Sequence, residues 1–474
     1  MQRLSFKQIA PFGILILVAV AALFIPSLSA FDDKGKMYNS ADIAWIIVAT
    51  ALVFLMTPGL AFFYGGMVHR KNVLSTMIKS VVAAGVVGVL WVVVGYSLCF
   101  GDSIGGYIGN PLTHLFFKGV VSGAPLLQGA SSPMTIPLLL FALFQLMFAT
   151  ITPGLVVGAV AERIRFTSYI LFIVLFSLLV YAPIAHWTWH PRGFLAQMGV
   201  LDFAGGTVVH ISAGCAALAG ALVLKRRKVH IEHREIPPAN IPYVLIGTGL
   251  LWFGWFGFNA GSALAASPLS VSAFATTNTA AAAAGLSWMF FDVLRGKKPS
   301  VLGFCIGAVV GLVAITPAAG FVPIPQSITI GVIAAIISNL AVYYKQKSSL
   351  DDTLDVFPCH GIGGMTGMLL TGIFASKAVN PAGNDGLFFG NASFFLTQFK
   401  ALLIVVGYSF TVSFLIFKFI NFVLPMRVSS EEEELGLDAT QHNEKYLQGT
   451  LIINSQKSSR EYNVEEYLVV EEHV

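Results

Sequence analysis

Two aspartate–histidine pairs with the same spacing are the most distinctive chemical feature of the sequence. Asp202 precedes His210 by eight residues, and Asp352 precedes His360 by eight residues. Eight residues rise about 12 Å along a helix, which would place an imidazole well inside a helix that a carboxylate begins. Histidine is the side chain that changes charge most readily near neutral pH. The two pairs therefore indicate proton-exchanging groups at matched depths.

Each histidine lies in a strongly apolar stretch of sequence. An ionisable residue inside a membrane segment is costly, and it therefore indicates function by default. For a single histidine, the alternative is a core residue that bonds a neighbouring helix. Two histidines at equivalent positions favour a pore site instead. Asp202 stands at a predicted helix start, where it can be an N-cap, an electrostatic attractor for a cation, or both.

Tryptophan and phenylalanine residues cluster in or near a few of the apolar stretches. Trp187 and Trp252 fit an aromatic belt at the membrane surface. A tryptophan face can also hold a cation, with about 0.5–2 kcal/mol. Phenylalanine rings across a pore would exclude hydrated ions, because burying a bare cation costs several kcal/mol or more. Ammonium avoids this cost by leaving a proton behind, whereas sodium and potassium cannot. The cluster comprises Phe144, Phe148, Trp187, Trp189, Trp252, Trp255 and Phe258.

The composition predicts that membrane-spanning helices position these residues. The chain of 474 residues is 56% hydrophobic and 11% charged, whereas a soluble protein has about 25% charged residues. Helices are favoured because lipid offers no hydrogen-bond partners to a bare backbone. The sequence thus predicts an all-α polytopic membrane protein with eleven transmembrane helices. The eleven apolar segments cover 40–65, 77–100, 134–160, 166–188, 203–224, 241–265, 269–293, 301–321, 326–344, 356–376 and 400–424.

The aspartate–histidine spacing also predicts an internal repeat. His210 falls in the fifth segment and His360 in the tenth, so that the two helices enter the membrane from opposite faces. Such an arrangement is typical of inverted repeats in transporters. We therefore expect a five-plus-five inverted repeat plus one extra helix.

The N-terminus predicts a signal peptide over residues 1–30, with an uncleaved first span as the alternative. Arg3 and Lys7 precede an apolar core at 14–24, and two small residues, Ser27 and Ser29, stand two positions apart just before Ala30. This is the pattern of a cleaved signal. The basic loops then place the mature N-terminus outside and the C-terminus in the cytoplasm. The signal and the orientation together predict a bacterial inner membrane protein.

The same residues argue against several other classes of protein. The net charge is only +4, and the basic residues lie in short loops, so that no nucleic-acid partner is predicted. The four cysteines lie in apolar stretches without a CxxC pair, which disfavours disulfides and metal sites. We predict no metal, no cofactor and no enzymatic activity.

Five motifs resemble those of the bacterial ammonium transporters of the Amt/MEP/Rh family, over about residues 40 to 445. The strongest reads DFAGGTVVH and ends at His210, and the next reads GWFGFNAGS and ends at Ser262. Chance agreement across all five is negligible. The other three are TPG at 57–59 with FYGG at 63–66, GAVAER at 158–163, and DVF at 355–357 followed by His360-Gly361.

The resemblance implies a role for each matched residue. Phe148, Trp189 and Ser262 correspond to the outer site that recruits ammonium, and Asp202 to the carboxylate that supports this site without touching the ion. Phe148 and Phe258 correspond to the gate of the pore. His210 and His360 correspond to the paired pore histidines, and Phe144 and Trp255 to residues of the pore wall.

The resemblance also implies an assembly. It makes residues 31–425 an ammonium transporter domain in the lipid bilayer, and it implies a homotrimer with one pore in each subunit. The tail over 426–474 follows the family pattern to about residue 446, which implies contacts between subunits and with a PII-type signalling protein. The matching tail residues are Arg427, Glu431 to Glu434, Gly436-Leu437-Asp438 and His442.

The sequence departs from the family directly after Trp189. It reads His190-Pro191-Arg192, where the bacterial pattern is rich in glycine. Arg192 near the pore mouth would repel a cation, unless its side chain points to solvent or pairs with an acid.

These features predict an ammonium transporter that recruits ammonium outside, removes its proton and conducts ammonia past the two histidines. The proton is expected to follow separately, which would make net transport electrogenic. One alternative is a neutral channel for ammonia or carbon dioxide. Another is an ammonium sensor that signals through its tail, although this tail is too short for the signalling domain that such sensors often carry.

Overall fold

Long apolar helices make up most of the chain. The computed structural model describes residues 6–25, 38–121 and 126–446. The first helix is Phe6–Leu23 (α1). Eight further helices are long and apolar enough to cross a membrane: Ser40–Met67 (α2), Arg70–Phe100 (α3), Leu138–Val160 (α4), Phe166–Gln197 (α5), Gly206–Leu224 (α6), Ile241–Ala260 (α7), Ile324–Gln346 (α10) and Ala392–Val423 (α12).

Three more helical segments complete the bundle between α7 and α12. They are Pro268–Leu294 (α8), Val301–Ile315 (α9), and the π-helical Phe357–Ile362 continued by Gly363–Phe374 (α11). Helix α8 is long but carries many small and hydroxylated residues, while α9 and α11 are short. Each of the eleven apolar segments of the sequence thus coincides with a helical segment. The chain is an all-α polytopic membrane protein, and the number of eleven crossings stays a prediction.

Two predictions about the ends of the chain concern residues that lie partly outside the described ranges. Helix α1 covers the apolar core of the predicted signal peptide, but the predicted cleavage site before Ala30 lies outside the described residues. The last part of the tail, from residue 447 onward, also lies outside the described residues.

A short antiparallel hairpin, Ser103–Ile104 (β1) and Ile108–Gly109 (β2), follows α3.

Glycines bring α6 and α11 into backbone contact. A Cβ atom on Gly214 would lie 2.2 Å from the Cα atom of Gly361, a separation that real atoms cannot adopt. On the same side, a Cβ atom on Gly364 would lie 3.2 Å from the Cβ atom of His210. Small residues permit this approach where no hydrophobic force drives helices together. The crossing brings His210 and His360, which stand next to these glycines, to the same point.

The close crossing predicts that Gly214→Ala lowers the stability of the protein. The added methyl group must displace the α11 backbone, at a cost of about 1–3 kcal/mol. The matched control is Gly407→Ala in α12, where nothing lies within 4 Å of the added carbon. Thermal unfolding in detergent should show a lower melting temperature for Gly214→Ala only. Equal melting temperatures for the two variants would contradict the tight crossing.

A buried cluster of charges joins the loops at one end of the bundle, which we call the tail face because the C-terminal tail packs there. Arg227 forms ion pairs with Glu162 at 2.5 Å and with Asp351 at 2.8 Å. The Arg163 guanidinium donates to the Asp351 carbonyl at 2.5 Å and to the Thr353 hydroxyl at 2.6 Å. The cluster therefore ties the end of α4 and the end of α6 to the loop that precedes α11.

The arginines keep both carboxylates of the cluster ionised. Burial alone would raise the pKa of Glu162, but the charge and hydrogen bonds of Arg227 outweigh it and lower this pKa. Burial likewise opposes ionisation of Asp351, and the hydrogen bonds of Arg227 with the charge of Arg163 bring its pKa well below the ordinary value. Both pKa values are depressed, so that the stabilisation is present above the unfolded pKa values near 4 and is lost as the pH falls through the folded ones.

We expect Arg227→Met to destabilise the protein at neutral pH by about 3–5 kcal/mol, because two buried carboxylates lose their partner. The deficit relative to the wild type should shrink as the pH falls below about 4 and the carboxylates become protonated. Unfolding measured over a pH series gives this difference. The control is Arg226→Met, because within the described part of the chain the Arg226 guanidinium bonds His230 and neither of the two carboxylates. A deficit that does not change with pH would contradict the role of the cluster.

The first part of the tail packs against the tail face in two short helices, Ser430–Leu435 (α13) and Leu437–His442 (α14). The Asp438 carboxylate accepts hydrogen bonds from the backbone of Leu74 at 3.1 Å and of Ser75 at 2.7 Å. Glu432 pairs with Arg165 at 2.8 Å. These bonds hold residues 430–442 against the first residues of α3 and of α5 within one chain.

Candidate functional site

Asp202 holds the start of α6. Its carboxylate accepts backbone N–H groups from Gly205 at 2.8 Å, from Gly206 at 2.7 Å and from Thr207 at 2.7 Å. The Thr207 hydroxyl donates to it as well. Charge-assisted bonds of this kind satisfy the open N–H groups of a helix start. The structure therefore shows the N-cap function, while the electrostatic role of Asp202 stays a proposal.

Asp352 holds the start of α11 in a similar way. It accepts the backbone N–H groups of Val356 at 3.1 Å and of Phe357 at 2.7 Å. Both helices then begin with a six-residue π-helical segment, and each of these segments contains one of the histidines. The two helix starts thus share one construction, as the equal spacing predicts. The inverted order of the two halves stays a prediction.

His210 and His360 meet at the crossing of α6 and α11. Their Nδ1 atoms lie 3.3 Å apart, and their rings lie 5.4 Å apart between centroids with an angle of 22°. A contact between two ring nitrogens requires one of them to donate and the other to accept. The Trp255 ring stacks on His210 at 5.3 Å, and its indole N–H donates to Thr316 at 2.9 Å. Both imidazoles are therefore held in orientation.

A narrow cavity runs beside the two histidines. Its volume is about 10 Å³, which is close to the room that one water-sized molecule needs. Apart from the two imidazoles and the Trp255 indole, the described residues around it carry no N–H, hydroxyl or carbonyl group on their side chains. Its lining consists of Met56, Leu60, Phe63, Ile151, Leu155, Val209, His210, Leu251, Trp255, Phe258, Val309 and His360.

Phe148 and Phe258 separate this cavity from a wider one. Their rings lie 4.3 Å apart with an angle of 38°, and both side chains are buried. Phe258 lines the narrow cavity, and Phe148 lines the wider one, which we call the vestibule. The pair is therefore an apolar partition between the two spaces.

The vestibule has a volume of about 220 Å³. The Trp189 ring meets Phe148 edge-on at 5.7 Å, and its indole N–H donates to the Asp202 carbonyl at 3.1 Å. The Ser262 hydroxyl donates to the Phe258 carbonyl at 2.8 Å, which leaves the lone pairs of its oxygen able to accept. The lining consists of Leu127, Ala130, Ser132, Met134, Phe141, Gln145, Phe148, Trp189, Phe203, Ser262 and Leu264.

The structure brings the predicted site residues together, with one difference. Phe144 lines neither cavity: it packs behind Phe148, with ring centroids 5.0 Å apart. Asp202 does not line the vestibule, but its carbonyl accepts the indole N–H of Trp189, which does. Sequence reasoning missed Gln145 and Phe203 as lining residues, although Gln145 stands three positions before Phe148 on one helix, a spacing that places both on one face.

Arg192 does not line the vestibule, although its side chain packs against Gly129 in the loop that contributes Leu127 and Ala130 to the lining. Its side chain is exposed and borders a separate surface pocket with Ser103 and Phe194. None of the ion pairs found among the described residues includes Arg192. Of the three expectations from the sequence, the structure thus shows a side chain at the surface, and repulsion of a cation by Arg192 stays a prediction.

Comparison with known proteins decides the family. Residues 44–446 match the sequence profile of the Ammonium Transporter Family. The chain belongs to this family. An ammonium transporter of Aquifex aeolicus is 46% identical over 425 residues, which cover 89% of this chain and 97% of that protein. An ammonium transporter of Bacillus subtilis is 46% identical, over 86% of this chain and 99% of that protein.

Solved structures of the family share the fold. The crystal structure of Saccharomyces cerevisiae Mep2 has a TM-score of 0.80 at 36% identity, over 89% of this chain and 94% of that one. A structure described as a sensor Amt protein has a TM-score of 0.76 at 30% identity, over 85% of this chain and 98% of that one. The helices that form both cavities therefore belong to a fold common to the ammonium transporter family.

The cap geometry predicts that Asp202→Asn destabilises the protein. The amide NH₂ would face N–H donors that the carboxylate now satisfies, at a cost of about 1–3 kcal/mol. We expect a lower melting temperature in detergent. We also expect slower ammonium transport, because a shift of the helix start moves the Asp202 main-chain carbonyl on which Trp189 is anchored. The control is Asp102→Asn on the exposed hairpin. If the two variants melt together, the carboxylate does not hold the helix start.

Proposed function

We propose that this member of the ammonium transporter family recruits ammonium in the vestibule, removes its proton near the Phe148–Phe258 partition and conducts ammonia past His210 and His360. The proton moves separately along the histidines, so that net transport is electrogenic. The observation that carries the proposal is the contact between two buried imidazoles directly behind an apolar partition.

Recruitment rests on the chemistry of the vestibule. The faces of Trp189 and Phe148 attract a cation, more strongly where water is excluded. The Ser262 oxygen accepts an N–H bond, because its own proton is engaged with the Phe258 carbonyl. Asp202 adds a negative field without contact to the ion, since its oxygens are occupied by the start of α6.

Loss of the proton follows from the narrow cavity. Its volume of about 10 Å³ leaves no room for a hydration shell, and its apolar lining does not replace one, so a bare cation would face a penalty of several kcal/mol. Neutral ammonia fits the same space. The contact between the two Nδ1 atoms at 3.3 Å gives a separate proton a short step from one imidazole to the other.

The alternatives are less well supported. A neutral channel for ammonia or carbon dioxide would gain nothing from the cation-attracting Trp189 and Ser262. An ammonium sensor has a structural neighbour at 30% identity, but relatives at 46% identity are named transporters. Transport is therefore the function that we propose.

We further propose the setting in which this transporter works. It is a homotrimer in a bacterial inner membrane, with the N-terminus outside and the tail in the cytoplasm, and it is not an enzyme. The tail face would then meet the cytoplasm, where a PII-type protein can reach α13 and α14. The docked acidic residues of α13, such as Glu432, give this face a defined surface for such a partner.

Electrical measurement on liposomes tests the proton step. We expect an ammonium pulse to evoke a current that saturates with concentration and is missing with potassium. His360→Leu should reduce this current by about tenfold or more, because the proton loses one of its two carriers. The control is His233→Leu, at an exposed loop position.

Two results would count against the proposal. If His360→Leu keeps both the current and the selectivity over potassium, the histidines do not carry the proton. If the wild type gives no current but a fast internal alkalinisation, the protein is a neutral ammonia channel.

A further inference from the structure

Gln145 is a buried amide that no residue of the described protein satisfies. It lies on α4, is only 8% exposed, and lines the vestibule together with Phe148, Trp189 and Ser262. Its Oε1 atom has no hydrogen-bond partner in the structure. Leaving a buried amide oxygen unpaired costs free energy, and most such groups in proteins have a partner.

Gln398 shows what a structural glutamine looks like in the same protein. Its Oε1 atom accepts the backbone N–H of Leu201 at 3.0 Å, and its Nε2 atom donates to the Leu201 carbonyl at 2.9 Å. Both ends of this buried amide are used to join α12 to the loop before α6. The Gln145 oxygen has no comparable role in the packing. It is buried in the structure, at one end of an amide whose side chain lines the vestibule.

We propose that Gln145 is a second hydrogen-bond acceptor for ammonium in the vestibule, beside Ser262. The proposal rests on the recruitment step of the proposed function and adds a residue that sets its specificity. No hydrogen bond found among the described residues holds this amide, so a half-turn about its last side-chain bond can bring the oxygen from its buried position toward a cation in the vestibule. Ammonium can then donate one N–H to Ser262 and a second to Gln145, while its remaining N–H groups face aromatic rings.

Two neutral hydrogen-bond acceptors favour the binding of cations that carry N–H donors over the binding of metal cations. Ammonium and methylammonium carry at least two such donors and can use both oxygens at once. Potassium would exchange its hydration shell for two oxygens and the ring faces, which leaves most of its coordination unfilled. The amide therefore strengthens the preference for ammonium at the point of recruitment, ahead of the phenylalanine partition.

The test compares wild type, Gln145→Met, Gln145→Glu and the surface control Gln197→Met in liposomes given ammonium pulses. Methionine keeps the length of the side chain and removes the acceptor, whereas glutamate keeps an acceptor oxygen in either protonation state. We expect Gln145→Met to raise the half-saturating ammonium concentration by about tenfold, the size of one hydrogen bond to a charged group. Gln145→Glu should give a value no higher than the wild type, and Gln197→Met should leave it unchanged.

Thermal unfolding separates this role from a structural one. Because the Gln145 oxygen bonds no described residue, Gln145→Met should keep or raise the melting temperature. A half-saturating concentration within twofold of the wild type would overturn the proposal, as would a tenfold rise that comes with a lower melting temperature. If the wild type gives no current, the electrogenic step of the proposed function is wrong. The half-saturating ammonium concentrations of the wild type and the variants can then be compared by internal alkalinisation of the liposomes, and this comparison still decides the role of Gln145.

Discussion

Two helices that begin inside the protein set the conditions for the rest of the structure. A helix start leaves backbone N–H groups open, and a buried start must satisfy them within the protein. Asp202 and Asp352 do this for α6 and α11. Each carboxylate fixes the first turn of its helix, and the glycine crossing at Gly214 then determines where the two histidines meet. The contact between the imidazoles is thus a consequence of how two backbones are capped and packed.

The vestibule depends on the same helix start. Trp189 is anchored on the carbonyl of Asp202, and Ser262 on the carbonyl of Phe258. Asp202 therefore acts in two ways. Its carboxylate bonds the first turn of α6, and its main-chain carbonyl positions Trp189 at the vestibule. Phe258 likewise belongs to the partition through its ring and orients Ser262 through its carbonyl. Trp189 and Ser262 of the vestibule are thus hydrogen-bonded to the segments that carry the helix start of α6 and the partition, so that a local change in these segments reaches the vestibule.

Much of this arrangement could be predicted from the sequence, because it is encoded locally. The spacing from Asp202 to His210 and from Asp352 to His360 gives the two helix starts, and apolar runs give the helices. The rest depends on contacts between segments far apart in the chain. No periodicity shows that Arg192 turns to a surface pocket, or that Phe144 packs behind Phe148 rather than along a cavity. The sequence does not identify Gln145 as a vestibule residue, because only the packing around it shows that its side-chain oxygen lacks a hydrogen-bond partner among the described residues.

The two helix starts share a construction but lie in different electrostatic settings. Asp202 does not line the vestibule, and its carboxylate bonds the backbone N–H groups at the start of α6. Asp352 stands toward the tail face, beside Lys345, which pairs with Asp355 at 2.8 Å. Burial raises the pKa of Asp352 to about 6, with Lys345 opposing the shift and Asp355 adding to it. The similar caps therefore account for the matched placement of the two histidines in their helices. The surroundings of the two helix starts differ: the first lies next to a cavity lined by aromatic rings and neutral side chains, and the second joins a network of charges beneath the tail.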